Sequence, residues 1–267
     1  MIARPMISPL PLSSALIVGH PGHELRLFRW LESARPLVCV ITDGSGSGRS
    51  RIASSLHLLA ASGSTAGPVM GPFTDAAIYE TMLRGDIAPV VEVVESIAEA
   101  LAARRVQCVV ADAFEFYNPT HDLCSIVATL AARRAEAIAG LAIDRYDYAV
   151  TVAASGSGIE LTLSESDVER KLAAAYAFEN LTKDVNDLLA LVGRDELARE
   201  ILRPVSAAIE LPSASRKPFY ETHGEERVAA GRYRTVLRYD EHFVPFVEAL
   251  AAAFGQSVRM EAPAAQS

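Results

Sequence analysis

The chain has 267 residues, 50% of them hydrophobic, with 33 acidic residues against 25 Lys and Arg, a formal net charge of -8 and a pI near 5.3. That much apolar material builds one sizeable core, so a single domain over 1–267 is expected; the acidic balance argues against nucleic acid, which needs a basic face, and no apolar run approaches the roughly 20 residues that span a bilayer. Cys39, Cys108 and Cys124 are odd in number and two lie in apolar runs, which suits reduced, buried thiols and a cytoplasmic location.

Residues 1–14 have no continuous apolar region and no small-residue cleavage pattern, and read as a leader loop. Ala15–Val18 is an unbroken apolar run that stops at Gly19, the pattern of a strand buried on both faces. His20-Pro-Gly-His23 follows at once, and Glu24–Ala34 predicts a helix with Leu25, Phe28 and Leu31 on one stripe. Leu37–Thr42 predicts a second buried strand. A glycine-rich turn, Asp43 to Arg49, follows it, and Ile52–Ala61 predicts a helix. From Pro68 to Asp86 the chain reads as irregular, with Thr74 or Asp75 capping a short helix through Arg84.

A helix is expected over about Pro89–Ala103, a third strand over Val106–Ala111, and a helix over about Asp122–Ala139 after the turn Asp112 to His121. Tyr148–Ala153 predicts another strand. Ser164, with Asp167 three residues on, predicts a capped helix running to about Leu191, followed by a helical piece from Gly193 to Leu202. Leu211–Arg234 is polar and broken by proline and glycine, Tyr239–Phe254 predicts a terminal amphipathic helix, and the last dozen residues read as a disordered tail. About 205–267 is expected to pack on the domain as a C-terminal extension. Alternating apolar strands and helices imply an α/β chain with a mostly parallel sheet in a three-layer, Rossmann-like fold.

Such a sheet binds ligands at the carboxyl ends of its strands. His20, His23 and His121 are three of the chain's six histidines, and all stand on strand-to-helix turns. Three protein ligands with a fourth position left for water is the pattern of hydrolytic zinc; unrelated loop histidines are the alternative. The turn from Gly44 to Gly48 lacks the spacing of a dinucleotide fingerprint, but its backbone N–H groups, with Arg49 and Arg51, could hold a substrate phosphate or sugar hydroxyl. No Gly-x-Ser-x-Gly elbow is present, which disfavours a serine hydrolase.

His20-Pro-Gly-His23-Glu24 resembles the His-Pro-Asp-Asp-Glu signature of the PIG-L/LmbE-like zinc de-N-acetylases, and Asn118-Pro-Thr-His121 resembles their second motif, His-Pro-Asp-His. Thr42-Asp43-Gly44, Arg51 with Ser62-Gly63, and Lys171 with Ala174 add to the likeness, which covers roughly residues 15–205. The resemblance implies an LmbE-like fold, Zn2+ or another divalent metal held by His20, His23 and His121, and removal of an acyl group, such as acetyl, from an amide nitrogen of an amino sugar or related small polar molecule. His23 replaces the family's ligating Asp, and a nitrogen donor still serves.

Gly22 stands where the family has its general base, Asn118 where it has a His near the leaving group or oxyanion, and Thr120 where it has a second Asp. Either another carboxylate takes the proton, with Glu115 preferred over Asp112 and Asp43, or the chain is a catalytically silent metal- or carbohydrate-binding relative. Asn118 retains an amide that can donate to an oxyanion. Cys124 and His57 read as packing residues. His223, His242 and the aromatic residues around them form a wall of the substrate cleft, a homo-oligomer interface or ordinary surface.

Overall fold

The computed structural model describes residues 13–151, 153, 155–213 and 217–260. Residues 1–12 of the expected leader loop and 261–267 of the expected tail lie outside the described residues. The centre is a seven-stranded sheet in the order β3-β2-β1-β4-β5-β7-β6, formed by β1 (Ser14–Val18), β2 (Leu37–Thr42), β3 (Thr65–Phe73), β4 (Cys108–Asp112), β5 (Asp144–Tyr148), β6 (Ile159–Thr162) and β7 (Arg199–Pro204). The first five strands in sequence pair in parallel; β7 runs antiparallel to both β5 and β6. Every residue of β1, β2 and β4 is buried, as unbroken apolar runs require when helices cover both faces.

One face carries α3 (Asp75–Arg84), α4 (Ala88–Ala103), α5 (Pro119–Ala139) and α9 (Val244–Ala253), whose Ile78, Val94, Leu130 and Phe246 pack with Ile17 and Val109 of the sheet. The other carries α1 (Phe28–Ala34), α2 (Ile52–Ser62) and α6 (Glu165–Ala177), with Trp30, Leu31, Leu59 and Ala175 against Leu16, Val18 and Val110. The remaining helices are α7 (Thr182–Val192) and α8 (Phe219–Ala229), and a two-stranded parallel sheet joins β8 (Ile209–Leu211) to β9 (Val258–Met260). No helix among the described residues is long and apolar enough to cross a membrane. The three-layer, Rossmann-like α/β expectation is therefore met.

Several local expectations are corrected. Glu24 opens no α-helix: His23–Leu27 forms a 3-10 turn, and α1 begins at Phe28. Thr65–Phe73, read partly as irregular, is the edge strand β3; Pro68 and Pro72 break a central strand but are tolerated at an edge, where one row of N–H groups needs no partner. The strand expected over Tyr148–Ala153 ends where it was to begin, because the polar run Asp144–Tyr148 pairs with β4 and β7; Val152 lies outside the described residues. Gly193–Leu202 is no helix beyond a 3-10 turn at Asp195–Ala198, since pairing with β5 and β6 overrides its propensity.

The long helix expected to Leu191 breaks at Phe178–Leu181, with Asn180 left-handed at φ 57°, and so gives α6 and α7. The polar stretch 211–234 contains α8, the terminal helix starts with a π-helical turn at Tyr239–Phe243, and part of the tail is β9.

The cap at Ser164 is present as a full capping box: its Oγ accepts from the Asp167 N–H, and Asp167 Oδ2 accepts from the Ser164 N–H, each at 3.2 Å. Ser164→Ala is expected to lower stability by about 1 kcal/mol, read as a shift in urea midpoint at constant slope. An unchanged midpoint would show that the α6 terminus gains nothing from the box.

Candidate active site

β1 sits between β2 and β4, so the chain winds outward in one direction through β2 and β3 and in the other through β4 and β5. The crevice at the carboxyl ends of β1 and β4 is the switch point where open α/β sheets bind ligands. The turn after β1 carries His20 and His23. The turn after β4 leads to α5, whose N-cap is Asn118, with Oδ1 accepting from the Thr120 N–H at 2.8 Å, and whose first turn carries His121.

The three imidazoles converge. Ring centroids are 5.2 Å apart for His20–His23, 5.2 Å for His20–His121 and 4.5 Å for His23–His121, each pair edge to face. His20 and His121 are 6% and 4% exposed, which leaves little water to satisfy them. The outer nitrogens of His20 and His23 are anchored. Thr42 Oγ donates to Gly19 O at 3.0 Å, so its 2.7 Å contact with His20 Nδ1 requires the imidazole to donate. His23 Nδ1 lies 2.7 Å from Asp112 Oδ2, an acceptor-only carboxylate that also takes the Gly19 N–H and the Tyr148 hydroxyl.

With Nδ1 donating, each of these rings keeps its Nε2 lone pair for another partner. His20 Nε2 and His121 Nδ1 are buried with no hydrogen-bond partner. Burial, then the neighbouring His23 and His20, hold the His121 imidazole well below the usual histidine range, so it is neutral and can donate a lone pair. An orphaned buried nitrogen costs about 1–3 kcal/mol, and two in one cluster mark a place for an electrophile.

Among the described residues, no group of three or more His, Cys, Asp or Glu side chains already has the geometry to hold a metal ion. The fit is one of donor chemistry: His20 and His23 are anchored from behind by hydroxyl and carboxylate, and His20 Nε2 and His121 Nδ1 are buried and unpaired.

The rings stand at the floor of a cavity of about 640 Å³, which His20, His23, His121, Asn118, Arg51 and Asp75 line on the polar side. Of the carboxylates named from sequence, none lines it. Asp112 is fully buried behind His23. Glu115 accepts from the Val150 and Thr151 N–H groups and the Thr151 hydroxyl, bracing the loop after β5. Asp43 accepts from the Ser45 N–H within its own turn. Arg51 is in the cavity wall, its Nε buried without a partner and its Nη1 3.6 Å from Asp184, whereas Arg49 is exposed and outside it.

Asp75 is the residue that sequence reasoning missed as a site group. Its Oδ1 lies 3.1 Å from His20 Nδ1 and its Oδ2 accepts from the Gly46 N–H at 2.7 Å. Burial pushes this carboxyl upward, but its contact with His20 and its hydrogen bonds with Thr42 and the Gly46 N–H outweigh that and hold the group well below the usual carboxylate range. The available signal was an acid just past a strand end; reading β3 as a loop concealed it.

Gly22 caps the 3-10 turn with φ +105°, a conformation costly for any residue with a β-carbon. A Cβ there would stand 3.1 Å from Leu181 Cδ2 and 3.6 Å from Phe178 Cε1. Glu24 is fully buried and accepts from the Gly22 N–H at 2.8 Å and from the Ser55 hydroxyl, which fixes this turn.

No protein-family model matches the chain, and no curated protein matches it. Solved structures do. The conserved protein TT1542 from Thermus thermophilus superposes with a TM-score of 0.52 at 19% identity, over 73% of this chain and 94% of that one. The zinc-inhibited form of teicoplanin deacetylase Orf2 gives a TM-score of 0.45 at 13% identity, over 73% of this chain and 98% of that one. At these identities the likeness is one of architecture: the chain has an LmbE-like three-layer α/β fold.

Proposed function

We propose that this chain is a metal-dependent hydrolase that removes an acyl group from an amide nitrogen of a small polar molecule such as an amino sugar. The observation that carries the reading is the cluster of three imidazoles, two with buried unpartnered nitrogens, on the floor of a large cavity at the switch point of the sheet. His20, His23 and His121 would hold the ion. When bound, a divalent metal such as zinc supplies Lewis acidity and lowers the pKa of water to about 7.

The chain's own groups do the rest. Asp112 and Thr42 keep His23 and His20 in the tautomer that presents Nε2. Asp75, which both lines the cavity and touches His20, takes the base assignment that sequence alone gave to Glu115. Asn118, its oxygen committed to the α5 cap, has N–H donors for the developing oxyanion. Arg51, in the cavity wall, offers a positive charge to a polar substituent of the substrate. Overall, water adds hydroxyl to the carbonyl carbon, the C–N bond breaks, and the nitrogen leaves as an amine with the water's second proton.

Gly22 favours a second reading, a catalytically silent metal- or carbohydrate-binding relative, because the family's base position has neither a carboxylate nor free space for one. Zinc titration combined with an acyl-release assay on N-acylated glucosamines separates the two. One zinc per chain with turnover is expected; one zinc without turnover selects the silent reading, and neither zinc nor turnover rejects both.

A further inference from the structure

The lining of the cavity is mixed. Besides the histidines it holds the charged Arg26, Lys171, Asp184 and Asp187, and an apolar set made of Leu172 and Ala175 of α6, Leu181 of the break, and Val185, Leu188 and Leu189 of α7. The last four fall at positions i, i+4, i+7 and i+8, one helical stripe, and each is only partly buried. No residue of α7 is fully buried: its apolar stripe packs at its edge on the core, Leu181 and Val185 beside Ala175 and Phe178, and Leu188 and Leu189 beside Leu163, Val168 and Leu197, and the same side chains also border the cavity. Side chains of this kind offer a ligand no hydrogen bond, and an apolar hollow is filled best by an apolar group.

A cavity of about 640 Å³ is far larger than an acetyl methyl needs. The apolar wall also reaches the floor at Gly22, where Leu181 and Phe178 occupy the space that any β-carbon substituent would enter. The missing side chain at Gly22 and the apolar roof are thus complementary features of one surface.

We infer that the group accepted beside the three histidines is a long, saturated acyl chain, lodged between α6 and α7 with its carbonyl end toward the imidazoles. This rests on the amide-hydrolase reading for which bond is cleaved, but the chain-binding hollow is testable apart from it.

The probes are butanoate, octanoate and dodecanoate, titrated calorimetrically into zinc-free protein. Affinity is expected to rise about fourfold per methylene, at least 100-fold from butanoate to octanoate, with one chain bound per protein. Val185→Trp on α7 and Leu172→Gln on α6 should each lower octanoate affinity at least tenfold. In the unaltered protein, dodecanoate should slow hydrogen exchange across residues 182–192, a readout that depends on no variant.

Equal affinity for butanoate and octanoate, or octanoate binding without protection of α7, overturns the inference. Chain-length-dependent binding in a protein that hydrolyses no amide leaves the hollow assigned and removes the hydrolase. Hydrolysis of N-acetylglucosamine with no gain for N-octanoylglucosamine does the reverse.

Discussion

Replacing His121 with alanine is expected to weaken zinc binding by more than 100-fold and to abolish acyl release, measured by competition with a chromogenic chelator and by amine detection. The expected loss exceeds the about 10–100-fold that changes behind a ligand cost, and Asp112→Asn, which alters only the carboxylate bonded to His23 Nδ1, should fall in that smaller range.

Stability separates a ligand from a packing residue. His121 carries a buried Nδ1 without a partner, so removing the ring also removes a desolvation penalty of about 1–3 kcal/mol, offsetting part of the lost packing. In zinc-free protein His121→Ala should therefore cost less than about 1 kcal/mol. A loss of several kcal/mol with zinc affinity intact would make His121 a core residue and end the metal assignment.

The second large effect lies behind the site. Glu200 of β7 is 1% exposed, and its carboxylate accepts from the Arg29 N–H at 3.0 Å and the Trp30 N–H at 2.9 Å. It thereby supplies the cap that α1 lacks locally, since no side chain of its N-cap residue does so. The same carboxylate takes Lys171 Nζ at 3.0 Å, and Lys171 also donates to Arg26 O at 2.8 Å. Burial lowers the Lys171 ammonium below the usual lysine range, with Glu200 opposing that shift.

Glu200→Ala leaves that ammonium and two helix N–H groups buried without their acceptor. The expected cost is about 3–5 kcal/mol by urea denaturation. Adding Lys171→Met should recover part of it, because the uncompensated charge is gone. A single-variant cost below about 1 kcal/mol, or no coupling between the two positions, would show that water reaches the pair.

The amino-acid sequence by itself determined the elements with strong local signals: the unbroken apolar runs of β1, β2 and β4, the Ser164 cap, the helices that cover the sheet, and the placing of His20, His23 and His121 on turns at strand ends. Each follows from residues within a few positions of one another. It also named Asp112, although as a base rather than as the anchor behind His23.

Only the tertiary structure decided the rest. β3, β5 and β7 are strands because neighbours complete their hydrogen bonds, against proline, charge or helical propensity in their own sequences. Asp75 joins His20 across 55 positions, and Glu115 is drawn away to the loop at Val150 and Thr151. The same limit hides the hollow, since its polar and apolar lining residues come from segments far apart along the chain, from His20 to Leu189. Periodicity reports which face of an element is apolar; it does not report whether that face meets a packed core or an open cavity.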